Sequence, residues 1–348
     1  MKSPPPSSLV VRWQRQHGRN ELPWQGTQDP YRVWLSEIML QQTQVVTVRD
    51  YYARFLARFA NVQLLAAAHL DDVLALWSGL GYYSRARNLH ACAQRVMSDH
   101  GGTFPRSALE LQTLPGIGRS TAAAIASLCF GERVAILDGN VKRVLTRLLG
   151  FQGDLASSAN ERQLWQFAND LLPRRDLARA MPRYTQGMMD LGATVCLARA
   201  PHCNRCPLAA HCVARREGKP ERYPVKTRKL RRSSQSLWML WAQDSKGSVW
   251  LSQRPTPGVW AGLHCLPLFE SLADLQASIP ARQRGAVQEL PVLRHALTHK
   301  DLYLHAVRVK LPATSTLALA GAWVSASQWA QLGLPAPVRK MLQTGGGA

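Results

Sequence analysis

The sequence is poor in acidic side chains and has no long uninterrupted apolar run. Asp and Glu number 22 against 43 Lys and Arg, which gives the 348 residues a formal net charge of +21. No apolar stretch reaches the roughly 18 residues that a membrane-spanning helix needs, so we expect no membrane span. The charge alone would suit nucleic acid or an anionic membrane, but the motifs described below indicate phosphate contacts, so we expect no membrane partner. The first twenty residues lack the pattern of a secretory signal, because three consecutive prolines precede only a short apolar cluster. We therefore expect a soluble, cytoplasmic protein with a polyanionic partner.

The chain is long enough for about two domains of roughly 150 residues, and its residues are 46% hydrophobic, which suits packed cores. No internal repeat is visible. The first part shows helical spacing over 31–58, 62–77, 84–98, 107–113, 119–130, 139–149, 159–171 and 177–194. The pattern then changes to predicted strands at 237–242, 249–254 and 302–311 and predicted helices at 270–278 and 325–331.

The basic residues are concentrated between these two parts. Eleven of them lie between Arg199 and Arg232, opposed only by Glu217 and Glu221, so this segment carries a net charge of +9. Its second half is polar and interrupted by prolines. We interpret residues 214–235 as an exposed linker, in which a phosphate-facing role and a merely solvated charge run are both open.

Four cysteines lie within 17 residues just before this linker, in the spacing C-x6-C-x2-C-x5-C: Cys196, Cys203, Cys206 and Cys212. Four thiolates in one short loop indicate a metal site. The uneven spacing favours an iron–sulfur cluster over zinc, which would favour paired C-x2-C knuckles. The remaining cysteines, Cys92, Cys129 and Cys265, lie singly in apolar surroundings and are predicted to be buried.

A glycine-rich turn, Leu114–Ala122, lies between two predicted helices, and its backbone N–H groups could hold a phosphate without reading base sequence. Asp138 follows an apolar run and opens the next helix. Its simpler interpretation is a helix N-cap. A capping carboxylate held in its ionised form could also stabilise an oxocarbenium-like transition state.

Glu37 shares one helical face with Gln41 and Gln44 in an otherwise apolar segment. Desolvation there would raise its pKa and suit a general acid near neutral pH. The alternative is a partly exposed surface glutamate. A turn of glycines, tyrosines and arginines over residues 77–88 is either a wedge into a base stack or an ordinary aromatic turn.

Taken together, these motifs resemble the MutY-type adenine DNA glycosylases of the helix-hairpin-helix base excision repair superfamily. The resemblance is strong over residues 20–213 and weaker beyond. Besides the four-cysteine loop, it rests on L-S-E-I-M-L-Q-Q-T-Q-V, G-L-G-Y-Y-S-R-A-R-N-L, L-P-G-I-G-R-S-T-A, I-L-D-G-N-V-K-R-V and M-D-L-G.

The resemblance implies a mainly α fold: a two-lobed helix-hairpin-helix glycosylase domain with an iron–sulfur loop (1–213), the basic linker (214–235) and a small α+β Nudix-like domain (236–348). It implies a monomer that hydrolyses the N-glycosidic bond of adenine mispaired with 8-oxoguanine or guanine in duplex DNA. Glu37 would protonate the flipped adenine and Asp138 would stabilise the sugar cation. The four cysteines would bind one [4Fe-4S] cluster per chain.

Further roles are implied by the same match. The DNA-contacting residues would be Gln41, Gln42, Leu80, Tyr82, Gly116, Gly118, Ser120 and Lys142. The adenine pocket would include Trp24, Gln25 and Gln186. Lesion recognition would fall to Thr298 and His299, where Leu297 replaces the family's aromatic residue.

Ser120 stands where bifunctional relatives carry a catalytic lysine, so the resemblance implies a monofunctional hydrolase. Lys142 could trap the abasic product slowly. The C-terminal domain has Leu268 at the first glutamate position of the Nudix box, so we expect no pyrophosphohydrolase activity. Two alternatives are a thymine or oxidised-pyrimidine glycosylase and a catalytically silent DNA-binding protein. Ser120 and the C-terminal domain oppose the first, and the intact pair Glu37 and Asp138 opposes the second.

Overall fold

The structure, a computed structural model, describes residues 4–225, 227, 232–315 and 317–345. These residues form two compact units: Met1–Ala66 with Ala91–Lys229, hereafter unit 1, and Ala67–His90 with Leu230–Ala348, hereafter unit 2. The centre of the expected basic linker, residues 226 and 228–231, lies outside the described residues.

This division differs from a purely linear one because residues 67–90 group with the C-terminal part of the chain. Hydrogen bonds within unit 2 account for the grouping. The Ser78 hydroxyl donates to the carbonyl of Leu334 at 2.8 Å, and the Arg87 guanidinium donates to the carbonyl of Ala261 at 2.6 Å. Unit 2 therefore contains a helical segment that sequence order assigns to the first domain.

The chain up to residue 216 is helical, as predicted. Its helices are α1 (Pro6–His17), α2 (Pro30–Leu40), α3 (Val45–Arg58), α4 (Val62–Ala67), α5 (Leu70–Trp77), α6 (Ser84–His100), α7 (Ala108–Leu111), α8 (Arg119–Phe130), α9 (Gly139–Leu149), α10 (Ser158–Asp170), α11 (Leu177–Thr194) and α12 (Val213–Arg216). Helices α8, α9 and α11 begin and end at the predicted residues. The predicted helix 31–58 is divided into α2 and α3, because the chain turns at 41–44, where Gln42 has a φ of 55°.

Helix α11 is central to the packing of unit 1, and two glycines let other helices approach it closely. A Cβ on Gly187 would lie 2.8 Å from a methyl of Val10 in α1, and a Cβ on Gly192 would lie 2.6 Å from the Cβ of Asn140 in α9. Both distances are shorter than real Cβ contacts. The glycine of the M-D-L-G motif is therefore required where α11 meets the residues that follow Asp138.

The C-terminal part of the chain is α+β, as expected. Its elements are β1 (Ser233–Gln243), β2 (Val249–Gln253), β3 (His264–Cys265), β4 (Leu268–Phe269), α13 (Leu272–Ser278), β5 (Gln288–Glu289), β6 (Leu293–Ala296), β7 (Lys300–Lys310), β8 (Ala322–Val324), α14 (Ala326–Trp329) and α15 (Ala336–Thr344). Short 3-10 helices lie at Cys203–Arg205, Pro220–Arg222 and Ala281–Ala286.

The sheet of unit 2 is mixed. Strands β1 and β7 are parallel from Ser233↔Lys300 to Gln243↔Lys310, and the other pairings of these strands are antiparallel. Alternate apolar residues of β1 and β7, such as Leu240 and Val307, pack with Leu275 of α13 in a buried core. Alternation along 302–311 predicted β7, whereas residues 237–242 of β1 are mostly buried on both faces and do not alternate. Among the described residues, every helix is too short or too polar to cross a bilayer.

Candidate active site

Unit 1 contains a cavity of about 910 Å³ that brings together residues distant in sequence. Glu37 lines it from α2, Ser120 from the start of α8, and Asp138 from the residue before α9. The two carboxylates and the hairpin serine, which were singled out separately in the sequence, therefore share one site.

Glu37 reaches the cavity from a helix that is held by its N-cap. The Asp29 carboxylate accepts a hydrogen bond from the backbone N–H of Tyr31 at 2.9 Å, which satisfies an N–H of the first turn. On either side of Glu37, Ser36 and Ile38 are buried. Desolvation, with a smaller contribution from the negative charge of Asp138, raises the pKa of Glu37 to about 7. A carboxyl with this pKa can give up a proton at neutral pH.

Asp138 is the N-cap of α9, and its side chain accepts a hydrogen bond from the backbone N–H of Val141 at 2.7 Å. The capping interpretation of this residue is therefore confirmed. Burial nevertheless raises the pKa of Asp138, against the opposing effect of N–H groups from Val141 and Asn140 and of nearby basic residues. Capping alone was expected to keep the pKa low. It does not, because desolvation outweighs it.

The glycine-rich turn joins α7 to α8 and is tied to the segment before Asp138. Gly116 has a φ of 74°, and Gly118 is the N-cap of α8, with open space where its Cβ would be. The Ser120 hydroxyl accepts a hydrogen bond from the backbone N–H of Leu137 at 3.1 Å. The structure therefore places Ser120 between the hairpin and the capping aspartate.

The other predicted site residues of unit 1 fall into two groups. Gln41, Gln42, Trp24 and Gln186 line the cavity, and Gln42 has the left-handed backbone that marks a strained position. Gln25 is not among the lining residues. Both of its amide atoms are buried without a hydrogen-bond partner in the described part of the chain.

Sequence reasoning missed the lining residues Arg19 and Asn140. Asn140 stands two residues after Asp138, in the same I-L-D-G-N-V-K-R-V motif, so its sequence position could have identified it. Arg19 carries no local signal, because the partner that holds it, Asp190, is 171 residues away.

Lys142, a predicted DNA contact, is engaged elsewhere in unit 1. Its ammonium forms an ion pair with Glu161 of α10. Among the described residues, Lys142 is not one of those that line the 910 Å³ cavity. Use of this ammonium as a nucleophile would require the ion pair with Glu161 to break.

Cys196, Cys203, Cys206 and Cys212 surround one small pocket of unit 1. Desolvation, with smaller contributions from the other three cysteines, raises the pKa of Cys206 to about 12. The Arg147 guanidinium donates to the Cys196 sulfur at 3.4 Å. Four sulfurs around a common pocket suit a thiolate-bound cluster. Within the described residues, no three His, Cys, Asp or Glu side chains are arranged to hold a single metal ion.

Unit 2 has its own cavity, of about 540 Å³, lined by Tyr82, Thr298, His299 and Trp260. The hydroxyl groups of Tyr82 and Thr298 share a hydrogen bond. Tyr82 and Trp260 both have a positive φ, 49° and 58°, which is a strained conformation for an aromatic residue. Three residues predicted to read or wedge the mispair thus meet here.

Leu80, also predicted to wedge into the duplex, is 6% exposed. Its buried side chain differs from that of Tyr82, which is 41% exposed. In the described structure, Tyr82 is therefore the better placed of the two to meet a ligand.

Comparisons with known proteins assign a family to the helical part and to the C-terminal part of the chain. Residues 35–170 match the model of the HhH-GPD superfamily base excision DNA repair proteins, and residues 237–344 match that of the NUDIX domain. The adenine DNA glycosylase of Buchnera aphidicola (subsp. Acyrthosiphon pisum) is 36% identical over 342 residues, which cover 97% of this chain and 96% of that protein.

The human adenine DNA glycosylase is 43% identical over 221 residues, 61% of this chain and 40% of that protein. Among solved structures, a thermostable thymine-DNA glycosylase is 28% identical with a TM-score of 0.52, and the alignment covers 61% of this chain and 95% of that one. By its full-length relative and its family models, the chain belongs to the MutY-type adenine DNA glycosylase family and is a helix-hairpin-helix DNA N-glycosylase of base excision repair with a Nudix-like domain.

Proposed function

We propose that this enzyme removes adenine mispaired with 8-oxoguanine or guanine from duplex DNA and leaves an abasic site. The proposal rests on the finding that Glu37 and Asp138 line the same cavity, together with a Glu37 pKa of about 7. The adenine substrate is the one named for the full-length relative.

In this mechanism Glu37 donates its proton to the flipped adenine, which makes the base a better leaving group. Asp138 stabilises the positive charge that develops on the sugar as the N-glycosidic bond breaks. Burial raises the pKa of both carboxyls, but only the environment of Asp138 also favours the ionised form. N–H groups and basic side chains oppose the rise in the pKa of Asp138, whereas both causes acting on Glu37 raise its pKa. Water then attacks the sugar carbon.

We propose that the enzyme is monofunctional. Ser120 carries a hydroxyl at the hairpin position where a Schiff base would need an amine, and its oxygen already accepts from Leu137. Lys142 is held by Glu161. Strand cleavage without alkali should therefore be weak.

Lesion recognition is assigned to unit 2. The hydroxyl pair of Tyr82 and Thr298, with His299 beside it, offers donors and acceptors in a cavity large enough for a purine. We infer that residues 1–213 carry the glycosylase chemistry, residues 214–235 the basic link and residues 236–348 lesion reading. The segment 67–90, which belongs to unit 2, would contribute Tyr82 to lesion recognition.

A [4Fe-4S] cluster is proposed for Cys196, Cys203, Cys206 and Cys212, which line one pocket. When bound, the cluster would cross-link the loop between α11 and α12. The basic residues around this loop would hold the phosphates of a DNA duplex, with affinity that falls as salt rises. We expect one enzyme molecule to act on one duplex as a monomer.

The test uses labelled duplexes that carry adenine opposite 8-oxoguanine, adenine opposite guanine, and thymine opposite guanine. Each duplex is incubated with enzyme and then treated with or without alkali. We expect alkali-dependent cleavage at adenine in the first two duplexes only. Absence of adenine excision would overturn the proposed substrate, cleavage at thymine would favour the pyrimidine alternative, and full cleavage without alkali would overturn the monofunctional assignment.

A further inference from the structure

The aspartate of the M-D-L-G motif has no assigned role in the chemistry, yet its side chain is fully buried next to the candidate active site. Asp190 lies on α11 with 0% of its side chain exposed, and it does not line the cavity in the described structure. A buried carboxylate must be compensated by hydrogen bonds or charge. The partners of Asp190 therefore indicate what it is there to hold.

Both partners of Asp190 are cavity-lining residues. One carboxylate oxygen accepts from the Arg19 Nε at 2.7 Å and from the Gln186 Nε2 at 3.0 Å. The other accepts from the backbone N–H of Arg19 at 3.1 Å. Arg19 and Gln186 both line the cavity. Asp190 thus fixes two cavity residues from behind.

The carboxylate also fixes which end of the Gln186 amide faces it. An ionised carboxylate only accepts hydrogen bonds, so it binds the NH₂ end of an amide and opposes the oxygen end. A rotation of the amide by 180° would bring two oxygen atoms together. The Oε1 atom of Gln186 is consequently the end that does not contact Asp190.

We propose that Asp190 is a positioning residue that makes Gln186 present a hydrogen-bond acceptor to the cavity and so selects 6-aminopurines over 6-oxopurines. This inference rests on the proposed function and deepens it. The exocyclic amine of adenine donates hydrogen bonds, whereas the carbonyl of hypoxanthine or guanine accepts them. An oriented acceptor oxygen can bind the amine of adenine, but it would face the carbonyl oxygen of hypoxanthine or guanine. A site built around hydrogen bonds discriminates strongly against a base that leaves its polar groups unpaired.

The test compares single-turnover excision of adenine and of hypoxanthine, each opposite 8-oxoguanine, by the full-length enzyme. The readout is the ratio of the two rates. In Asp190→Asn the side chain has the same shape but can donate as well as accept, so the Gln186 amide can turn either way. We expect the adenine-to-hypoxanthine ratio to fall by about tenfold or more.

A matched control separates orientation from a general loss of packing. The Thr194 hydroxyl donates to the backbone carbonyl of Asp190 at 2.9 Å, so Thr194→Val disturbs the same helical turn but leaves the carboxylate intact. We expect a lower melting temperature and an unchanged ratio for this variant. A similar fall of the ratio in Thr194→Val would mean that Asp190 acts only through packing, and the inference would be wrong.

A second variant keeps the test decisive if Asp190→Asn does not fold. Gln186→Leu removes the acceptor and leaves the pair of Arg19 and Asp190 in place. We expect its ratio to fall as well, and an unchanged ratio would overturn the inference. Failure of the proposed function is distinguishable, since the wild-type enzyme would then not excise adenine at all.

Discussion

Replacing Glu37 with Gln should stabilise the protein at neutral and alkaline pH while it removes activity. Burial and the charge of Asp138 raise the pKa of Glu37 from 4.5 to about 7. Each pKa unit corresponds to about 1.36 kcal/mol, so ionised Glu37 destabilises the folded protein by about 3 kcal/mol. Glu37→Gln has no such cost, because its side chain does not ionise.

The effect of Glu37 on stability depends on pH. Between pH 4.5 and about 7, the folded protein holds a proton on Glu37 that the unfolded chain has lost. The free energy of unfolding therefore decreases as pH rises through this window and is constant above it. The variant lacks this contribution, so its stability relative to wild type should rise by about 3 kcal/mol between pH 4.5 and pH 8.

Urea unfolding of wild type and Glu37→Gln at several pH values measures this difference directly. The comparison is internal, since the other titrating groups are shared. The same comparison in an Asp138→Asn background removes the negative charge that is the smaller cause of the raised Glu37 pKa. The pH-dependent stability difference caused by Glu37 should then be smaller but still present. A stability difference that stays constant with pH would refute the assignment of a raised pKa to Glu37.

Three further predictions concern other parts of the molecule. Gly192→Ala places a Cβ 2.6 Å from the Cβ of Asn140; overpacking of this kind costs about 1–3 kcal/mol, so thermal unfolding should show a lower Tm and excision should slow. In a double-mutant cycle, the effects of Tyr82→Phe and Thr298→Val on the single-turnover excision rate should be non-additive, because the two hydroxyls share a hydrogen bond. Each variant should also prefer 8-oxoguanine over guanine less strongly than wild type does. Additive effects on the rate would contradict a shared hydrogen bond. Purified protein should contain about four irons per chain with broad visible absorbance, and Cys206→Ser should lose both; a colourless, zinc-loaded protein would reject the cluster.

Much of the fold could be predicted because its signals are local. The bounds of α8 and α9 follow from glycine and aspartate at their ends, and the alternation in β7 follows from one buried face. Helix α1 was missed because three prolines at its start concealed an amphipathic segment in which only Val10 and Trp13 are strongly buried and apolar. The break at 41–44 was missed because the backbone of Gln42 is set by the site and not by local preference.

The candidate site was less accessible to sequence reasoning where it depends on tertiary contacts. Glu37 and Asp138 stand out in their own segments, and desolvation of Glu37 follows from its apolar neighbours. Arg19 and Asp190 could not be paired from sequence, because no local pattern links an N-terminal arm to α11. The rise in the pKa of Asp138 depends on how deeply its cap is buried, which a capping motif alone does not determine.

In the proposed mechanism, adenine excision uses Glu37 as the acid in a cavity shared with Asp138. Single-turnover excision of adenine opposite 8-oxoguanine by wild type and Glu37→Gln, at enzyme concentrations that saturate the duplex, tests it most directly. Loss of a general acid lowers the rate by about 100-fold or more, so we expect at least this decrease in the excision rate, with DNA binding retained. Excision by Glu37→Gln within a few-fold of the wild-type rate would contradict it.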